Sequence, residues 1–304
     1  MTARAASTAS RAPDSSFPWP AAGAFVLVWS SGYIAGPAGV AAVEPFSLLA
    51  MRFALATVVL LPLTLWRRGP LRIDRGTLAR VALVGLVMNG LQFGFMYLAF
   101  EAGLGATLAA LLHSLSPVLT VVLAGVLLRE RVRPLQVVGL AIGVAGVMVV
   151  LGPDVAEAGG ALGITLGMLG MLALSLGTMG QRWIPPTLDP WWSATLQFAA
   201  CTPFLTVVAL AVEGTDPVTD PVTGAVAVVF LALVNSIVGL ILLGAVVRGG
   251  GAGAASSVFF LSPPVTALMA WLVLGDTLGL RELLGLVIAV TGVAIAVGRR
   301  PRRP

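Results

Sequence analysis

The chain has 304 residues, of which 58% are hydrophobic and 10% charged, with a formal net charge of +5 and a mean hydropathy of +1.00. A soluble domain carries about 25% charged residues, so this composition excludes an ordinary water-soluble enzyme, a disordered chain and a nucleic-acid binder. All 18 basic residues are Arg and none is Lys, which excludes a lysine Schiff base or phosphate clamp; the single cysteine, Cys201, excludes an intramolecular disulfide.

A membrane span takes about 20 apolar residues. Ten apolar segments follow in chain order: 18–36, 45–66, 77–98, 104–128, 134–152, 162–181, 190–212, 223–246, 251–274 and 281–298. Each is bounded by Gly, Pro or charge. They are about twice the length of barrel strands and do not alternate, so all are predicted as helices. The first carries Trp29, Ser30, Ser31 and Tyr33 where a signal peptide would have an apolar run, and it reads as a span. Gly249–Gly251 reads as a flexible turn between the eighth and ninth spans, and not as a phosphate loop.

Arginine sets the orientation through the positive-inside rule. With the N-terminus in the cytoplasm, cytoplasmic segments hold sixteen of the 18 Arg; Arg281 falls outside and Arg52 inside the second span. The basic charge is thus a topology signal.

The chain also repeats itself. Residues 115–151 align with 261–297 at an offset of 146 without a gap. Leu115, Ser116, Pro117 and Thr120 match Leu261, Ser262, Pro263 and Thr266, and Asn89 matches Asn235. Upstream the register slips by one, and Pro45, Phe53 and Ala54 match Pro190, Phe198 and Ala199. Five spans per half is an odd number, so the second half lies inverted in the membrane, as in secondary transporters. The expected fold is an all-α polytopic membrane protein: ten transmembrane helices in two inverted five-helix repeats, both termini cytoplasmic. A cytoplasmic tail covers 1–17, the first repeat 18–152, the second 162–298, and a basic cytoplasmic tail 299–304.

The Trp29-Ser30-Ser31 stretch, Pro45 followed by Arg52, the Leu-Ser-Pro of spans four and nine, the acidic turns at Glu130 and Asp276, and the Gly-rich fifth and tenth spans resemble the drug/metabolite transporter superfamily. Within it, the chain is similar to the ten-span EamA-domain exporters over about residues 20–298. The resemblance implies a basket of helices around a central cavity. It implies a small exported solute: amino acids or other metabolites, drugs, or, in related carriers, sugar nucleotides or triose phosphates. The membrane-embedded Glu of the four-span relatives has no counterpart in the first span, so their proton exchange does not carry over.

Polar side chains within spans are costly and face the bundle interior. The candidate substrate-binding residues are Trp29, Ser31, Tyr33, Asn89, Gln92, His113, Ser116, Ser175, Asn235, Ser256, Phe259 and Ser262. Interhelical hydrogen bonding is the alternative role for each. His113 titrates near pH 6.5 when unperturbed, so a carboxylate contact, a proton carrier and a neutral structural histidine all stay open. Pro117 and Pro263 are expected inside their helices, each freeing a carbonyl four residues back. Arg52 is expected about two turns below the outer surface, paired with Glu101 or reaching upward, as an outer gate, an anion contact or an interhelix tie. Glu101 shares that gating or structural role. No cofactor or metal is expected. The partners are a small-molecule substrate and the lipid bilayer, with no nucleic acid, in a monomer or homodimer of the inner membrane. The sequence thus points to an exporter of amino acids or similar amphipathic solutes working by alternating access. A phosphate-metabolite or multidrug carrier is the nearest alternative and a polytopic membrane enzyme a remote one.

Overall fold

The computed structural model describes residues 18–129, 133–152, 159–276 and 278–297, with the backbone alone for 128, 250–257, 296 and 297. Among the described residues, eight helices are long and apolar enough to cross a membrane. They are α1 (Trp19–Val40), α2 (Pro45–Arg68), α3 (Arg75–Glu101), α4 (Ala106–Leu127), α5 (Pro134–Leu151), α6 (Gly160–Trp183), α7 (Pro190–Val212) and α8 (Pro221–Gly249). A shorter apolar helix, α9 (Ser262–Leu274), and a last helix, α10 (Leu280–Val297), follow. The tails 1–17 and 299–304 and the turn at Glu130 lie outside the described residues.

Local chemistry explains the boundaries. Proline opens α2, α5, α7 and α8 in the first turn, where its missing N–H costs nothing and its φ is already helical. Gly69 and Gly152 end α2 and α5 at φ of 73° and 63°, the left-handed region that glycine enters without strain.

Two expectations are corrected. Helix Gly239–Phe259 runs unbroken through Gly249–Gly251, where a flexible turn was expected. A Cβ on Gly249 would lie 2.5 Å from Pro18 Cδ, so glycine there serves close approach of the chain to α1. Pro117 and Pro263 do not sit inside continuous helices. The chain breaks at Leu115 and at Phe260–Leu261, and each proline opens a second segment, Ser116–Leu128 or Ser262–Met269. A proline has no N–H to donate, and the first turn of a helical segment is where that costs least.

Several local features recur at the 146-residue offset. Asp74 and Asp220 both cap helices, accepting from Thr77 N and from Thr223 N at 2.9 and 3.2 Å, with the hydroxyls of Thr77 and Thr223 at 2.6 Å. π-helical turns, which carry one extra residue, fall at Leu86–Leu91 around Asn89 and at Phe230–Val238 around Asn235.

The two halves meet along antiparallel helix pairs. In α5 and α10, Gly146 lies over Ala289 and Gly143 over Gly292; a Cβ on Gly285 would be 2.8 Å from Gly146 O. Small residues let two membrane helices approach to backbone contact. In α2 and α7, Thr64 bonds Thr195 at 3.1 Å and Arg68 pairs with Asp189 at 3.2 Å. At the other end the Glu213 carboxylate accepts from Phe46 N, Ser47 N and Ser47 Oγ at 2.6–2.8 Å, placing negative charge on the positive end of α2.

Gly146→Leu should therefore destabilise the protein by about 3 kcal/mol, the upper range for forcing volume into a packed seam. Gly105→Ala, where a Cβ meets nothing within 4 Å, should change stability by less than about 0.5 kcal/mol. Thermal loss of the monodisperse peak in detergent compares the two. The Thr77 and Thr223 hydrogen bonds hold the Asp74 and Asp220 carboxyls below their usual 3.8. Stability from a depressed carboxyl is present above the unfolded value and lost as pH falls through the folded one. The melting temperature should drop below about pH 4, and Asp74→Asn with Asp220→Asn should flatten that part of the profile.

Candidate functional site

Helices α1, α2, α3, α4 and α8 converge on a small void. It is lined by Trp29, Gly32 and Tyr33 of α1, Arg52 of α2, Phe93, Met96, Tyr97 and Phe100 of α3, His113 of α4 and Asn235 of α8. The space has room for little more than a water, so the walls pack tightly around a polar centre.

Arg52 dominates that centre. It is 2% exposed. Its Nε donates to Ser236 Oγ at 3.1 Å, one terminal nitrogen to Tyr97 OH at 2.8 Å and the other to Asn235 Oδ1 at 2.9 Å. The guanidinium also lies 4.3 Å from the Phe93 ring centroid and 5.3 Å from that of Phe53. Arg at a span centre costs about 2.5–3.5 kcal/mol on insertion scales. Hydrogen bonds to a charged group contribute about 1.5–3 kcal/mol each, and a desolvated cation–π contact about 2 kcal/mol. Neutral dipoles therefore suffice to hold the charge. The expected pairing with Glu101 is corrected: Glu101 is exposed at the end of α3, while the Arg52 side chain is drawn inward onto α3 and α8.

Asn235 Nδ2 in turn donates to Val28 O of α1 at 2.9 Å. A Cβ on Gly32 would lie 2.5 Å from that nitrogen, so only glycine lets the amide reach the α1 backbone.

His113 forms the second part of the cluster. It is 7% exposed. Its Nδ1 is 2.8 Å from Tyr33 OH and its Nε2 is 3.2 Å from Gln92 Nε2. With the Gln92 amide in that orientation, Nε2 accepts and the neutral ring donates Nδ1–H to the tyrosine oxygen. A run Gln92–His113–Tyr33 thus crosses from α3 through α4 to α1.

The structure separates the remaining sequence candidates. Trp29 lines the void and packs edge-on against Phe259 at 5.1 Å between centroids. Ser262 Oγ is 3.1 Å from Ser30 Oγ and joins α9 to α1. Asn89 turns away, donating to Gln197 Oε1 of α7 at 3.2 Å. Ser175 donates to Ser116 O at 3.1 Å, tying α6 to α4. Ser31 bonds back to Val28 O of its own helix at 2.7 Å. Pro117 and Pro263 lie at the helix breaks and outside the lining. The Ser256 side chain lies outside the described residues.

Sequence reasoning overlooked Gly32, Phe93, Tyr97, Phe100, Ser236 and Ser30. Tyr97 carried a usable signal: it is one of two tyrosines in the chain and falls one helical turn after Phe93. The other residues are apolar or small, and nothing in the pattern distinguishes them from packing.

Comparison with known proteins gives a family. Residues 21–152 and 161–298 match the profile of the EamA-like transporter family. A Salmonella typhimurium protein named "probable amino-acid metabolite efflux pump" is 26% identical, covering 91% of this chain and 94% of its own. The Escherichia coli protein named "uncharacterized inner membrane transporter YedA" is also 26% identical, over 90% and 88%. One solved structure superposes with a TM-score of 0.64 at 20% identity, covering 91% of this chain and 96% of that chain; that likeness speaks to the fold alone.

The His113–Tyr33 contact should appear as coupling. Tyr33→Phe and His113→Ala each leave buried partners unpaired, and each should cost about 2 kcal/mol of stability. The double variant should fall short of their sum by about 1 kcal/mol, as expected for residues in contact. Ser31→Ala should shift stability by less than about 0.5 kcal/mol, all measured by thermal denaturation in detergent.

Proposed function

The chain belongs to the EamA-like transporter family, and from that premise we propose that it is a secondary transporter exporting amino acids or similar small amphipathic metabolites by alternating access. It works as a multi-pass protein of the cytoplasmic membrane, and not as an enzyme. The observation that carries the reading is the convergence of Arg52, His113 and Asn235, from α2, α4 and α8, on one small void. Ionisable groups inside a membrane bundle are a marker of solute and ion pathways.

The architecture behind the proposal is ten spans in two inverted five-helix halves, with 1–17 and 299–304 as cytoplasmic tails around repeats 18–152 and 162–298. Three things support it: the arginine distribution, the caps and π-turns recurring at the 146-residue offset, and the antiparallel pairing of α2 with α7 and α5 with α10. Two similar halves around a shared site exchange inward-open and outward-open shapes by rocking against one another. Trp29, Tyr33, Gln92, His113 and Asn235 hold the solute; Ser30, Ser262, Ser116 and Ser175 tie the helices that move. The relative named as an amino-acid metabolite efflux pump supports the substrate class. A sugar-nucleotide or phosphate carrier calls for several basic groups in the cavity, and Arg52 is alone among the void's described lining.

Flux from proteoliposomes tests this. Labelled amino acids should show saturable export, changed little by an imposed pH gradient, because both His113 nitrogens are engaged and no Asp or Glu is among the described lining. His113→Ala should reduce flux by about tenfold or more, the kinetic equivalent of losing one well-placed hydrogen bond. Absence of saturable flux for amino acids and amphipathic cations alike overturns the reading.

A further inference from the structure

Arg52 has a built-in control. In the register that pairs Pro45 with Pro190 and Phe53 with Phe198, Arg52 stands opposite Gln197, and at the 146-residue offset Asn235 stands opposite Asn89. Both pairs are made: Arg52 donates to Asn235 Oδ1 at 2.9 Å, and Asn89 donates to Gln197 Oε1 at 3.2 Å. Each joins the second helix of one half to the third helix of the other, next to a π-turn. In the second copy a neutral amide performs the tie. The positive charge at position 52 is therefore surplus to the structural task, and it is retained in an apolar bundle where charge is costly.

The surplus has an accessible outlet. A guanidinium carries five N–H donors. Three are used, on Ser236, Tyr97 and Asn235, and one remains on each terminal nitrogen. Among the described residues no ion pair involves Arg52, and none of the described void lining is acidic. A donor left on each terminal nitrogen gives a carboxylate two charge-assisted hydrogen-bond partners. Phe93, Tyr97, Phe100 and Trp29 surround the same void and suit an apolar or aromatic body.

Resting on the carrier reading above, we propose that Arg52 is the specificity-determining residue of the site: it takes the carboxylate of the solute, so that the transported class is carboxylates with an apolar tail, and the solute's amine is not read by an opposing charge. Arg52 also holds Tyr97 and Asn235, so docking of a carboxylate competes with the contacts that close α2 against α3 and α8 and couples occupancy to opening.

The test is equilibrium binding by calorimetry to the purified full chain. The probes are N-acetyl-L-phenylalanine, which carries only the carboxylate, and N-acetyl-L-phenylalaninamide, the same body without charge. Wild type should bind the acid about tenfold or more tightly than the amide, the range of a charge-assisted bond. Arg52→Gln, which keeps a tie of the kind Gln197 makes, should abolish that ratio. Arg52→Lys should keep part of the ratio, a point charge lacking the fork. Equal binding of acid and amide by wild type, binding of neither, or an undiminished ratio in Arg52→Gln each overturns the inference. If Arg52→Gln does not fold, the ratios of wild type and Arg52→Lys decide it, and ratios of one overturn it. Saturable liposome flux with no acid preference sinks the role of Arg52 and leaves the carrier; an acid preference with no flux of any solute supports the site and sinks the carrier.

Discussion

The structure around Arg52 is organised to hold a guanidinium charge where charge is least welcome. Its three hydrogen bonds and the Phe93 face draw α2, α3 and α8 onto one point. Asn235 passes the connection to the α1 backbone through the gap left by Gly32. Much of the central packing follows from that requirement, including the small residue at position 32 and the π-turn that brings Asn235 and Ser236 to the same side.

The rest of the bundle relies on a different force. Lipid tails are as apolar as leucine, so helices in a membrane gain little from burying apolar faces and associate through close packing and interhelical hydrogen bonds. The glycines of α5 and α10 supply the first, at a seam between the two halves that lies apart from the polar centre. The Thr64–Thr195, Ser30–Ser262 and Ser175–Ser116 contacts supply the second. A close-packed seam with polar contacts elsewhere suits two halves that move against one another: backbone-to-backbone contact resists separation, while hydroxyl contacts exchange at small cost.

The two halves are alike in geometry and different in chemistry. Asp74 and Asp220, Asn89 and Asn235, Leu115 and Leu261 occupy matching local structures. Yet His113 corresponds to Phe259 in the repeat, and Arg52 to Gln197. Where the copies differ is where the void lies.

The sequence by itself determined the helical class and the limits of most helices. Those follow from short-range rules that act within one turn: apolar run length, proline at helix starts, glycine at helix ends, and arginine clusters at the membrane face. It also marked Trp29, Tyr33, His113, Arg52 and Asn235, because a polar or aromatic side chain in an apolar run is rare enough to notice. Only the tertiary structure decided which of them meet. Asn89 and Asn235 are equivalent in the repeat, but one faces Gln197 and the other lines the void with Arg52. Arg52 turned inward because Tyr97 and Asn235 lie 2.8 and 2.9 Å away, on helices 45 and 183 residues distant in the chain. Ser31 and Ser30 are neighbours, yet one bonds its own helix and the other bonds α9. Helical periodicity gives a residue's face; what that face meets depends on how helices far apart in sequence cross, and no local pattern encodes that.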